Sequence, residues 1–282
     1  MTTVRTDITP TPIEPAENWP VMGFGELWRT RRILWVLSQR VIKVRYQSTV
    51  LGILWVVLQP LILVIIVSVF MGLILDRTAR LDLPFAVFLF PAWVVWRVFS
   101  KNLGEGGSSI LANGALVQRI YLPRLYFPLS INLSSLIDVF FMVVALLLLL
   151  VVYGVSPGIG LLSLPFALVI MYATSVGVSL LFAATSVQYR DMDILVPLIT
   201  QAWFWSSPII YPTQLIPEDI RTLFYLNPLA VVIDAFRWAF TQTPPPPTEA
   251  WLLGGSVAGV ALVVGYVFFR RREPLFADWM GE

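Results

Sequence analysis

Val139–Val152 is an unbroken apolar run inside a longer apolar block, Pro128–Tyr153. A helix rises about 1.5 Å per residue, so about 20 apolar residues cross the hydrocarbon core of a bilayer. Five further blocks are of the same kind: Val50–Leu75, Leu83–Ser100, Leu161–Val187, Ile194–Tyr211 and Trp251–Phe269. In lipid a chain must satisfy its own backbone hydrogen bonds, so blocks of this length predict helices. The expected fold is an all-α integral membrane protein with six transmembrane helices. Another apolar stretch, Leu229–Phe240, is too short to span and reads as re-entrant or interfacial. Pro212, Pro217 and Pro228 break the region ahead of it into short pieces, and Pro244–Pro247 separate it from the last span.

Composition agrees. Hydrophobic residues make up 57% and charged residues 13%, against about 25% charged in a soluble domain. The chain has no cysteine and no histidine. That removes disulfides, thiolate or imidazole metal sites, cysteine nucleophiles and the serine–histidine triad. A net charge of +2 argues against a nucleic-acid partner. Only Lys43 and Lys101 among the 19 basic residues are lysine, a bias that fits a GC-rich genome.

Residues 1–20 are rich in Pro and Thr and read as a disordered cytoplasmic tail without a signal peptide. Residues 21–47 hold an amphipathic helix, Gly25–Tyr46. Leu27, Trp28, Leu34, Trp35, Val41 and Ile42 share one side, opposite Arg29, Arg32, Arg40 and Lys43. This is the pattern of a helix lying in the membrane interface, although a helix packed on other helices reads similarly. The spans occupy residues 48–270 and a short cytoplasmic tail 271–282 follows. Basic residues set the orientation. Arg5, Arg29, Arg31, Arg32, Arg40, Lys43 and Arg45 fall on one side. Lys101, Arg119, Arg124, Arg190 and Arg270–Arg272 join them there. The other side holds Arg77, Arg80, Arg221 and Arg237. Both termini are therefore expected in the cytoplasm.

Neither lysine sits in a phosphate-binding loop, so any ATPase must be another chain. Asp191 and Asp193 form a D-x-D pair after the fourth span. Such a pair suits either a metal-held nucleotide sugar or a charged turn that contacts a partner. Asp138 lies inside the third span, where an ionisable residue needs a partner, and Arg97 of the second span is the candidate. That pair would be structural or would serve substrate movement. Trp93, Trp96, Trp203, Phe204 and Trp205 suit an interfacial belt or a stacking path for sugar rings. Gly255–Gly259 fits a small-residue helix contact.

Four separated stretches resemble one family. Val41–Leu61 (VIKVRYQSTVLGILWVVLQPL), Ala112–Ser130 (ANGALVQRIYLPRLYFPLS), Tyr189–Pro212 (YRDMDILVPLITQAWFWSSPIIYP) and Leu226–Phe240 (LNPLAVVIDAFRWAF) occur in the order seen in type-2 ABC exporter permeases. The likeness is to the polysaccharide class, Wzm-like and teichoic-acid-exporter-like. It implies an inner-membrane homodimer bound to two copies of a nucleotide-binding ATPase subunit. ATP and Mg would sit on that subunit and no cofactor on this chain. It implies a gate helix and substrate entry at Arg40, Lys43, Arg45 and Tyr46. ATPase contacts would come from Gln118, Arg119, Tyr121 and Arg124 and from Arg190, Asp191 and Asp193. The first and fifth spans would line a channel, with Gln59, Trp93, Trp96, Gln201, Trp203 and Trp205 as candidate lining. Leu215–Phe240 would form short external re-entrant helices. The implied cargo is a polyprenyl-diphosphate-linked polysaccharide of O-antigen or galactan type. A teichoic-acid, drug or small-lipid cargo stands as the alternative. From other classes, Asp191 and Asp193 would suit a membrane-embedded polyprenyl-phosphate glycosyltransferase, and Asp138 a proton-driven carrier.

Overall fold

The computed structural model describes residues 31–47, 51–52, 54–75, 84–119 and 122–276. The expected disordered tail, the start of the amphipathic helix, and Arg77 and Arg80 lie outside the described residues. Regular structure among the described residues is entirely helical. Helix α1 is Arg31–Tyr46, α2 is Leu54–Leu75 and α3 is Phe85–Gly107. Two short helices follow, α4 (Ser109–Ala112) and α5 (Gly114–Arg119), then the long α6, Tyr126–Tyr153. A 3-10 turn at Ile159–Ser163 leads into α7, Leu164–Ser186, and α8 is Met192–Trp205. Short α9 (Glu218–Phe224) precedes α10 (Pro228–Thr241), and α11 is Thr248–Arg272, closed by a 3-10 turn Glu273–Leu275.

Local chemistry sets the ends. Helix α6 stops at Gly154, which takes the left-handed conformation at φ 68°, and Val155 N–H closes back on the Leu150 carbonyl at 2.9 Å. Glycine pays no Cβ penalty there. Helix α10 opens on Asn227, whose side chain accepts the Leu229 N–H at 3.1 Å, with Pro228 in the first turn where its missing N–H is not needed.

Among the described residues, three helical stretches have the length and hydropathy for crossing a membrane: Tyr126–Tyr153, Ile159–Ser186 and Thr248–Leu275. Helices α9 and α10, bent by 102° at their junction, make a fourth if taken as one broken span. Helix α2 is also apolar along its 22 residues, Leu54–Leu75, and carries no charged side chain, whereas two other expected spans depart from their expected bounds. Helix α3 runs past the expected end at Ser100 to Gly107 and carries Arg97, Lys101 and Glu105 in its second half. Helix α8 stops at Trp205, short of the expected Tyr211, because the chain turns at Ser206 and Ser207.

Helix α10 forms the centre of the main core. Leu229, Ala230, Val231, Val232, Ile233 and Ala235 are all fully buried. It packs on α3, α7, α11 and the 3-10 turn ahead of α7, where Gly158 N–H donates to the Ala239 carbonyl at 2.9 Å. The most extensive helix contact joins α7 and α11. Gly177 and Gly265 make it possible: a Cβ on either would run into the backbone of the opposite helix. Lipid chains are as apolar as leucine, so close backbone approach does much of the work of helix association. In the expected Gly255–Gly259 run, Gly255 only brushes Ile170 and Gly259 faces open space, whereas neighbouring Gly254 meets Val231 of α10.

Gly177→Val and Gly265→Val are each expected to lower the thermal midpoint of the detergent-solubilised protein by several degrees, since overpacking costs about 1–3 kcal/mol and backbone here has little room to shift. Gly259→Val is expected to leave the midpoint unchanged in the same thermal scan.

Candidate functional site

The highest density of charge inside the fold lines a cavity of about 240 Å³ between α1, α2, α3 and α6. Arg97, Lys101 and Glu105 are spaced four apart on α3 and so share one face. Asp138 of α6 is 5% exposed. Its carboxylate pairs with the Lys101 ammonium and accepts from Arg45 of α1 at 3.5 Å. Arg45 also pairs with Glu105. Arg97 instead donates to the Gln59 side-chain oxygen of α2 at 2.9 Å.

The expected Arg97–Asp138 pair is thus replaced by Lys101–Asp138. The physical reason is the length of α3. Because the helix continues through Ser100, Lys101 is not a loop charge but lies one turn beyond Arg97 on the same face. The cavity collects three cations, Arg45, Arg97 and Lys101, and two carboxylates. Among the described residues Arg97 has no acidic partner. Arg40 and Lys43 are exposed on α1. Tyr46 ends that helix, and its side chain lies outside the described residues.

A wider, more apolar groove of about 490 Å³ runs between α3 and α8. Trp93, Trp96 and Phe204 form its aromatic wall, with Phe204 edge-on to Trp96 at 5.2 Å and to Trp93 at 6.1 Å. Ser100, Thr200 and Gln201 supply its polar atoms. Trp203 does not face this groove. It packs edge-on against Phe99 at 5.0 Å and donates its indole N–H to the Asn227 side chain at 2.9 Å. Trp205 is 63% exposed.

A second buried charge cluster escaped sequence reasoning, which counted Arg237 only as a loop-side charge. Arg237 is 2% exposed and lies in the middle of α10. Its guanidinium donates to the Ile209 carbonyl at 2.7 Å, sits 3.8 Å from the centre of the Phe88 ring and faces Asp234 at 3.9 Å. Asp234 accepts from Thr213 at 2.7 Å and from Tyr225 at 3.0 Å. The D-x-x-R spacing within an apolar segment was the available signal, because residues three apart share a helix face.

The two stretches expected to meet an ATPase differ in what they present. Gln118 and Arg119 end α5, but their side chains, and Tyr121 altogether, lie outside the described residues. Arg124 is turned inward. Its backbone N–H donates to the Glu273 carboxylate at 3.1 Å, its guanidinium donates to the Glu273 carbonyl, and it lies 5.8 Å from the Phe276 ring centre. Sequence distance concealed this C-terminal partner of a loop arginine. Arg190, Asp191 and Asp193 are exposed at the start of α8, where acidic residues suit the positive end of the helix dipole. Among the described residues, no group of three or more acidic side chains gathers as a metal site would require.

Asp138→Asn leaves the Lys101 ammonium buried without its counter-charge and is expected to cost about 3–5 kcal/mol, the usual result of breaking one side of a buried pair. Asp138→Asn combined with Lys101→Met is expected to cost less than Asp138→Asn alone, and Arg97→Gln to leave stability near wild type. Thermal unfolding of the four proteins checks this; equal losses in the single and double variants would dismiss the pair.

Residues 32–241 match the family described as ABC-2 type transporter. The O-antigen export system permease protein RfbA of Myxococcus xanthus is 27% identical over 256 residues, covering 90% of this chain and 97% of that protein. RfbA of Klebsiella pneumoniae is 28% identical over 249 residues, covering 87% and 94%. The polysialic acid transport protein KpsM of Escherichia coli is 26% identical over 242 residues, covering 84% and 92%. The family match takes in the charged cavity, the aromatic groove and the Arg237 cluster together, and the chain belongs to the ABC-2 type transporter family.

Proposed function

We propose that this chain is the channel-forming subunit of an ATP-driven exporter that moves a polyprenyl-diphosphate-linked polysaccharide from the cytoplasmic to the outer side of the inner membrane. The observation that carries the reading is near full-length similarity to permeases named for O-antigen and polysialic acid export. In this reading the protein crosses the membrane six times, with both termini cytoplasmic. Helices α2, α3, α6, α7, α8 and α11 are the spans, α1 is the interfacial gate helix, and α9 with α10 is the re-entrant segment. Two copies pair, and each binds one ATPase subunit, which holds ATP and Mg.

The charged cavity suits the lipid end of such a cargo. An arginine without an acidic partner at membrane depth is stabilised by a passing anion, and a diphosphate offers one. The aromatic groove suits the glycan, whose ring faces stack on indole while Ser100, Thr200 and Gln201 meet hydroxyls. ATP binding drives export only by favouring one arrangement of the dimer over another. The segments that must transmit the difference are Gly114–Arg119 with the loop after it, and Arg190–Asp193. A glycosyltransferase reading would rest on Asp191 and Asp193 alone, both exposed and without a third acid nearby among the described residues.

Depleting the protein in cells is expected to build up full-length polyprenyl-linked glycan on the cytoplasmic side, read by mass spectrometry of the lipid fraction. An unchanged pool would reject the cargo, and a shortened precursor would favour the transferase. Asp191→Lys is expected to weaken capture of the ATPase subunit by the purified permease without changing its melting temperature.

A further inference from the structure

The end of α11 touches the loop that follows Gly114–Arg119 and the turn just ahead of Arg190–Asp193, the two stretches that the proposed function assigns to the ATPase. Glu273 is 3% exposed. One carboxylate oxygen accepts the Arg124 N–H at 3.1 Å, ahead of α6, and the other pairs with Arg270 at 2.6 Å. The Glu273 carbonyl accepts from the Arg124 guanidinium. The adjacent residue, Arg272, donates to the Gln188 side chain in the α7–α8 turn, two residues before Arg190. Beneath these polar contacts lies a hydrophobic cluster separate from the main core. Ile110 of α4, Leu125 beside Arg124, Val187 beside Gln188, and Phe269 and Phe276 at the end of α11 meet there. The rings of Phe269 and Phe276 are edge-to-face at 5.4 Å.

From this geometry we infer that Arg270–Phe276 is a yoke. Arg272 and Glu273 are positioning residues that fasten the segment before α6 and the segment before α8 to the end of α11, so both move as one body when the ATPase closes. The inference rests on reading those two segments as ATPase contacts. Nucleotide-driven closure at either segment is then delivered to α7 and α11 together, which are already locked by Gly177 and Gly265. Without the yoke each segment would follow its own ATPase surface, and hydrolysis would proceed without moving the spans in step.

The experiment uses the full-length permease assembled with its ATPase subunit in lipid nanodiscs, with export followed in cells. The chain has no native cysteine, so cysteines placed at exposed Ala115 and Tyr189 carry spin labels at unique sites. In wild type the distance between labels is expected to form one narrow population with and without ATP. In Arg272→Ala combined with Glu273→Ala that population is expected to broaden while the ATPase stays bound and hydrolysis continues. Export per ATP is expected to fall at least about tenfold, the factor for a single charge-assisted hydrogen bond, since the variant removes the side-chain contacts to Gln188, Arg124 and Arg270. Arg272→Lys and Glu273→Gln keep a donor and an acceptor and are expected to stay within about twofold of wild type. A purely structural role would lower folded protein and export together and leave their ratio to hydrolysis unmoved. Should the combined variant fail to fold, Glu273→Ala alone reads the same ratio. An unchanged distance population and an unchanged ratio overturn the yoke. If Asp191→Lys abolishes ATPase binding in parallel, the yoke alone has failed. If it leaves binding intact, the assignment of the contact surface has failed first.

Discussion

A charge placed among apolar helices has to bring its partner with it. Desolvating one ion costs several kcal/mol even after relaxation, and among the described residues four such groups lie deep in the fold: Asp138, Asp234, Arg237 and Glu273. Each is matched by residues from distant elements. Asp138 joins α6 to α3 and α1 through Lys101 and Arg45. Arg237 joins α10 to α3 through Phe88 and to the chain after α8 through Ile209. Glu273 joins α11 to the segment before α6. Apolar side chains pack without much preference for register, so these directional contacts select one arrangement among many of similar apolar burial.

The close contact of α7 and α11 complements the charges. Glycines at 177 and 265 let two backbones approach, and α10 fills the space beside them with its buried apolar face. The tightly packed part of the molecule is therefore α3, α7, α10 and α11. Helices α2 and α8 leave apolar faces open, as at Ile65, Phe70, Ile194 and Leu198, and so does the outer face of α11 at Leu252, Val260 and Val263. In the proposed exporter these open faces belong to the channel, to a second copy or to lipid, and the packed part is what the ATPase moves.

In the proposed exporter the two cavities divide the cargo's chemistry. The charged one lies between α1, α2, α3 and α6, so under that proposal an anion entering it meets the helix assigned as the gate. The aromatic one lies along α3 and α8, the pair of helices that also meets the Asn227 link to α10. That link runs through Trp203, which packs on Phe99 outside the groove, so Asn227 fixes the end of α8 against the start of α10.

Much was legible in the sequence. Apolar blocks of bilayer length placed the long helices in order, because hydropathy and length are local properties of the chain, although the ends of α3 and α8 were missed. The need of Asp138 for a cation was also legible. What the sequence left undecided was partnership. Arg97 and Lys101 lie one turn apart on one helix face, and only the packing of α3 against α6 chose Lys101 for Asp138. Arg124 looked like a surface residue until Glu273 approached it from the far end of the chain. Gly265 and Gly177 each sit in a small-residue spacing like several others, and only one pairing of helices brings them together. Element formation follows from local hydrogen bonding and hydropathy, whereas pairing depends on which distant groups arrive at the same depth, and the tertiary structure alone decides that.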